Sequence, residues 1–324
     1  MIRFGLCCIF RKVPIRFRRT TAKYLSQFNR IRQLAILGRL AAHNAQSLYD
    51  ALHFCHASGI GAFRINSQIL PLKTHPQAGY DISDLPDHRS IVAAFERCGE
   101  FAREHDLRTT FHPDQFILLN SPRAEVVKRS IADLVYQAGV ADWVGADVIN
   151  IHGGGGYGDK PAALQRLGQV IETLPTTVRQ KLTLENDDRI YTPQDLLPVC
   201  HATGVPLVYD VHHHRCLPDG NSETATTAHA VATWNREPLF HLSSPAAGWT
   251  NATNPKPHHD FIDPADVPRA WWHLDQQVTV EVEAKAKELA VLSLKRAYLA
   301  RPAHNEVPDN TPFDTDGCFI RRNK

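Results

Sequence analysis

Eight short apolar runs punctuate this sequence, and the stretches between them carry helical spacing. The runs are IRFGL (Ile2 to Leu6), GAFRI (Gly61 to Ile65), RTTFH (Arg108 to His112), DVINIH (Asp147 to His152), LTLEN (Leu182 to Asn186), PLVYD (Pro206 to Asp210), PLFHL (Pro238 to Leu242) and VTVEVE (Val278 to Glu283). In SIVAAFERCGEFAREH and EVVKRSIADLVYQAGVADWVG, apolar residues recur three and four apart while charges fill the opposite face. Strand then helix, eight times, predicts an α/β fold of the (β/α)8 TIM-barrel type, with its chemistry at the C-terminal ends of the strands. A chain of 324 residues is long enough for one such barrel. We read residues 1–300 as a single barrel domain with a basic segment, 11–39, inserted after the first strand. Residues 301–324, rich in Pro, Asn and Asp, read as an irregular tail.

A hydrophobic content of 43% and a charged content of 22% are those of a soluble globular chain with a real core. The formal charge of +2 hides an asymmetry, because no acid precedes Asp50 while RKVPIRFRRTTAK concentrates cations, Arg16, Arg18 and Arg19 among them. That end favours a polyanion, or is simply a solvated basic arm. The seven cysteines show no CxxC spacing, and the pair Cys7 and Cys8 in an apolar strand reads as buried thiols, which points to a reducing compartment. FGLCCIF is too short for a secretory core, and no apolar run is long enough to cross a bilayer. The expectation is a cytoplasmic protein with no membrane contact.

The strand ends supply His112, His152, Glu185, Asp210 with His213, His241 and Glu283, and the loop KPHHDF after the seventh strand adds His258. Nitrogen and carboxylate donors of this kind suit Zn, Mn or Fe, and a carboxylate can bridge two ions. An unpaired Glu185 at the end of an apolar strand would carry a heavy desolvation cost, which a cation offsets. Of the three histidines after Asp210, the spacing of three favours His213, with His212 and His214 turned to helix or solvent. HGGGGYGDK lacks the Lys-Ser/Thr end of a phosphate loop; its glycines are read as admitting a bulky ligand beside His152, with Lys160 opening the next helix.

These pieces, with FRINSQILPLKTH, FHPDQFILLNSP, LTLENDD, FHLSS and VEVEAKAKE in the same order, make the chain resemble the UV damage endonucleases, barrel relatives of endonuclease IV and xylose isomerase. The resemblance implies a DNA repair endonuclease that cuts 5′ to UV photoproducts, and abasic sites among other lesions, on damaged double-stranded DNA, using three divalent ions, manganese or else zinc. It implies one ion on His112, His152 and Glu185, a second on Glu185, Asp210, His241 and Glu283, and a third on His213 and His258. Catalysis would fall to Glu185, His75, His213 and His258, with His75 near the scissile phosphate. Gln115 and Phe116 would probe the lesion, and Lys160 with the three arginines would contact DNA. The enzyme would work in the cytoplasm on the nucleoid, with no protein partner implied. Two positions depart from the family pattern: Leu239 stands where a lysine is usual and Phe116 where a tyrosine is, which marks a divergent branch. The rival readings are a single-metal sugar isomerase or epimerase, resting on Glu185, Asp210, His241 and Glu283 alone, and a non-catalytic binder of damaged DNA. The additional histidines argue against the first, and retention of the whole donor set argues against the second.

Overall fold

The computed structural model describes residues 1–113, 116–250 and 253–300. Eight parallel strands, β1 (Ile2–Cys7), β2 (Ala62–Ile65), β3 (Arg108–Phe111), β4 (Val148–His152), β5 (Leu182–Glu185), β6 (Leu207–Asp210), β7 (Leu239–Leu242) and β8 (Val278–Val282), form a closed barrel in chain order. The seam is β1 against β8, with Ile2 opposite Val278 and Leu6 opposite Val282. His112 and Glu283 lie one residue past their strands, where the chain turns into the loops of the mouth. Around the barrel run α1 (Ala22–Leu25), α2 (Arg30–Ser58), α3 (His88–Glu104), α4 (Ala124–Val144), α5 (Lys160–Thr173), α6 (Thr176–Arg179), α7 (Pro193–Thr203), α8 (Val211–Cys216), α9 (Glu223–Ala232) and α10 (Glu288–Leu299).

Helix ends follow local chemistry. Asn29 caps α2 by accepting from the Arg32 N–H, and Gly59 ends that helix at φ +64°, a conformation glycine adopts without steric cost. One expectation fails: no α-helix follows β7 among the described residues, only two 3-10 turns, Pro264–Asp266 and Arg269–His273. Pro245, Pro255, Pro257, Pro264 and Pro268 fall in that connection, and each removes a backbone donor that a helix interior needs.

Side chains alternate along a strand, so every second residue points into the barrel. Reading upward, Val148, Asn150 and His152 form one inward column, and Leu239 with His241, Val208 with Asp210, and Thr279, Glu281 and Glu283 form others. Val148, Val208 and Leu239 pack together, with Trp234 against them, as an apolar plug. Leu239, the departure from the family pattern, is one wall of that plug. Above it the interior turns polar and then ionic.

The basic segment after β1 is an anchored strap. Val13, Ile15 and Phe17 pack on the core, while Lys12 before them, Arg16 among them, and Arg18 and Arg19 after them are exposed. The buried carboxylate of Glu288 accepts from the backbone N–H groups of Arg11 and Lys12, both at 2.7 Å. Asn44 exchanges two hydrogen bonds with the Arg18 backbone (2.7 and 2.9 Å), and Ser47 Oγ donates to the Arg16 carbonyl at 2.9 Å. The strap thus leaves the C-terminal end of β1, is tied to the start of α10 and lies along α2, with its cations exposed.

Candidate metal centre

Glu185, 1% exposed, stands at the hub. Its Oε2 lies 2.9 Å from His112 Nε2, 3.9 Å from His152 Nε2 and 2.5 Å from Asn150 Nδ2, and its Oε1 lies 3.0 Å from His241 Nδ1 and 3.4 Å from His213 Nδ1. Thr183 Oγ1 donates to Asn150 Oδ1 at 2.9 Å, which fixes the amide so that it donates to Glu185. Burial opposes ionisation of Glu185, but His241, His152 and His112 outweigh it and hold the carboxyl well below its ordinary range. The same balance, with burial overcome by facing Glu185, pushes His241 up to about 10. His213 is raised well above the usual imidazole value because Asp210 and Glu185 overcome its burial. His152 goes the other way, lowered by burial despite Glu185.

Asp210 explains the D-x-x-H spacing. It ends β6 and caps α8, its Oδ1 accepting from the His213 N–H at 2.8 Å, so the third residue after the acid is brought back over the barrel. His213 Nδ1 then sits 3.5 Å from Asp210 Oδ2 and 3.0 Å from the Asn186 carbonyl. Of the two directions expected for the other histidines, helix or solvent, solvent is excluded, because both are buried. His212 is buried between Trp249 and His258, each ring 5.2 Å away. His214 is locked between the Tyr209 hydroxyl (2.8 Å) and Asp219 Oδ1 (3.0 Å).

Three overlapping donor sets result, each compact enough for one cation: His112, His152 and Glu185; Glu185, Asp210 and His213; Asp210, His241 and Glu283. Two buried atoms here, Asp210 Oδ2 and His152 Nδ1, have no hydrogen-bond partner among the described residues. An orphaned carboxylate oxygen on a fully buried residue is what a cation ligand looks like without its ion, so the residues fit divalent cations. His213 groups with Glu185 and Asp210, while His258 is in none of these sets; its Nδ1 lies 3.8 Å from Glu283 Oε2 and its ring 6.5 Å from that of His213.

The remaining expected residues lie around this centre. His75 Nδ1 accepts from the Gln77 and Ala78 N–H groups, both at 3.2 Å, so a neutral ring carries its proton on Nε2. His75 and Phe116, the latter 72% exposed, share a cavity of about 460 Å³ with Thr20, Pro113 and Ile117. Gln115 lies outside the described residues. Lys160 is tied to Asp195 at 2.5 Å, and Arg16 donates to the carbonyls of Val13 and Ile15. The glycines after β4 admit the protein's own side chains, since a Cβ on Gly153 would lie 2.7 Å from the Tyr191 ring.

Sequence reasoning missed Arg64, Asn150, Asn186 and Glu281. The signal was present for Arg64: an arginine within an apolar barrel strand requires a buried carboxylate partner. It was present for Glu281 too, which shares the inward phase of Glu283.

Comparison with known proteins agrees with this geometry. The family described as UV-endonuclease UvdE matches residues 2–313. A UV DNA damage endonuclease of Bacillus velezensis is 33% identical over 308 residues, spanning 91% of this chain and 93% of the relative. The crystal structure of SacUVDE superposes with a TM-score of 0.81 at 27% identity, over 92% of this chain and 98% of that one. Endonuclease IV from Thermus thermophilus, at 14% identity and a TM-score of 0.59 over 92% of this chain and 98% of that one, shares the fold. With the family matched across nearly the whole length and the donor residues gathered at one mouth, this chain belongs to the UV-endonuclease family.

Proposed function

We propose that this chain is a divalent-cation-dependent hydrolase that nicks one strand of damaged double-stranded DNA on the 5′ side of UV photoproducts, with abasic sites as further substrates. The observation that carries the reading is the sharing of Glu185 and Asp210 between donor sets, which allows several cations to be held side by side. A single-metal sugar isomerase would leave His112, His152 and His213 without a purpose. Manganese suits the mixed nitrogen and oxygen donors, with zinc as the other candidate, and such cations when bound supply Lewis acidity to the phosphate and stabilise the leaving oxygen.

The protein's own groups do the positioning. The exposed arginines of the strap, with Lys160 across the mouth, draw in the phosphate backbone. His75 presents its Nε2–H as a donor to a phosphate oxygen. Glu185, kept ionised by its imidazole neighbours, accepts a hydrogen bond from the attacking water and aims it at phosphorus. The water oxygen bonds to phosphorus as the P–O3′ bond breaks, His213 and His258 attend the departing oxygen, and the proton released by the water balances the one the 3′ oxygen takes up, so that a 3′ hydroxyl and a 5′ phosphate result. Phe116 stacks where the lesion has loosened the duplex. No helix among the described residues is long and apolar enough to cross a membrane; acting on the chromosome would place the enzyme in the cytoplasm with the nucleoid. The test is a nicking assay on matched duplexes carrying a pyrimidine dimer, an abasic site or no lesion, with manganese, zinc or chelator. Cation-dependent cutting 5′ to the dimer is expected, and cutting that ignores either the lesion or the cation overturns the reading.

A further inference from the structure

Beneath the donor sets lies a buried ionic layer with no role so far. Arg64 on β2 is 6% exposed and Glu281 on β8 is 1% exposed. Arg64 Nε donates to Glu281 Oε2 at 2.5 Å and Nη1 to Glu283 Oε1 at 2.6 Å, and Thr110 Oγ1 donates to the other oxygen of Glu281. The His241 ring rests on this layer. Its Nδ1 faces upward to Glu185 and to Glu283 Oε1 (3.6 Å), while Nε2 lies between Arg64 Nη2 (2.7 Å) and Glu281 Oε2 (3.2 Å). Space for the layer is set by Gly5, where a Cβ would come within 3.1 Å of Glu281 Cγ and 3.3 Å of Ala62 Cβ.

We propose that Arg64 and Glu281 are positioning residues of the metal centre, an internal ion pair that turns the donor atoms of His241 and Glu283 toward one cation without binding it themselves. The proposal rests on the cation-dependent reading above. Glu281 is not a ligand, because Thr110 and Arg64 already occupy its two oxygens and it sits one inward residue deeper than Glu283. Nor is the pair only structural filling. A buried ion pair can often be exchanged for apolar residues without loss of stability. What apolar residues cannot supply is an acceptor for the second ring nitrogen of a histidine whose first nitrogen faces a cation; Glu281 Oε2 is that acceptor, while Arg64, a donor only, holds Glu281 in place beside the ring. Arg64 on β2, forked between the carboxylates of Glu281 and Glu283, ties β2 to β8 across β1 at this level.

The experiment is manganese binding to the full chain, read from the free-ion signal in electron paramagnetic resonance, with the fold followed by circular dichroism. Two variants are compared with wild type: Arg64→Met with Glu281→Leu, which removes both charges, and Glu281→Gln, which keeps an acceptor oxygen and the side-chain shape. The double variant is expected to fold and to weaken one manganese by about 10- to 100-fold while the others bind as before. Glu281→Gln is expected to recover most of that loss. Wild-type binding in both variants overturns the proposal, as does equal loss of every ion. If the double variant does not fold, Glu281→Leu alone, which leaves Arg64 paired with Glu283, decides: weakening of one ion that Glu281→Gln does not show supports the positioning role, and unchanged binding sinks it. A wild-type chain that takes up neither manganese nor zinc overturns the cation-dependent reading itself, and that outcome is distinct from variants that match a manganese-loaded wild type.

Discussion

Glu185 touches four imidazoles and one amide while barely meeting solvent, so its charge and its shape are both in use. Glu185→Gln keeps the shape and removes the charge. Nicking should fall below detection while DNA binding stays within about tenfold, since phosphate contacts dominate affinity; cutting near the wild-type rate would remove Glu185 from the mechanism. His258 meets only the edge of the centre, and His258→Ala should lose one bound ion by elemental analysis while the sets around Glu185 remain filled. Phe116 differs in kind, being exposed beside the centre. Phe116→Ala should forfeit stacking worth about 1 to 3 kcal/mol and lower nicking of a dimer-bearing duplex far more than ion binding; an unchanged preference for the dimer would show that another group probes the lesion. Most donor residues were legible because each closes an apolar strand, where an ionisable side chain stands out. Arg64 was missed although a charge within an apolar strand announces it; Asn150 was not legible, because a mid-strand amide acquires its meaning only from its partner on another strand, Glu185.

At the scale of elements, the strap and the β7 to β8 connection show two ways in which chain beyond the strands reaches the mouth. Strands and helices were readable from periodicity. The strap was readable only as charge, since its order comes from distant anchors, Asn44 on α2 and Glu288 on α10, that no local pattern reveals. The missing helix after β7 was written in its prolines, but the eightfold rhythm concealed it. Replacing Arg16, Arg18 and Arg19 together with Ala should flatten the salt dependence of DNA binding by roughly one unit of log slope per lost phosphate contact. Glu288→Ala should act on the same measurement without touching an arginine, because it releases the backbone that presents them, and trypsin should then cut within the strap faster than in wild type. If Glu288→Ala leaves both the salt slope and the trypsin rate unchanged, the strap does not depend on that anchor.

Opposed charges gather, buried, at one end of the barrel, so the stability of the whole molecule should depend jointly on pH and cations. In the ion-free chain, His213 and His241 have folded pKa values above the unfolded one; their contribution is complete below about pH 6.5 and is lost as pH rises toward about 10, the His241 value. Glu281, held down to about 2 by Arg64 and His241 against its burial, contributes above about pH 4.5 and loses that contribution as pH falls. These three groups therefore stabilise the ion-free fold most between about pH 4.5 and 6.5, while His152, lowered by burial, acts in the opposite sense below about pH 6.5. Cations reverse the upper limb, because imidazoles must give up their protons to bind them, so affinity climbs with pH. At a concentration a hundredfold above Kd, each ion adds about 2.7 kcal/mol to the folded state. Thermal unfolding followed by circular dichroism, with manganese and with chelator, should show a gap between the two melting temperatures that is small at pH 5 and widens by pH 8. A gap of the same size at both values would mean that the histidines of the mouth do not exchange protons for cations, and the metal centre would have to be sought among carboxylates alone.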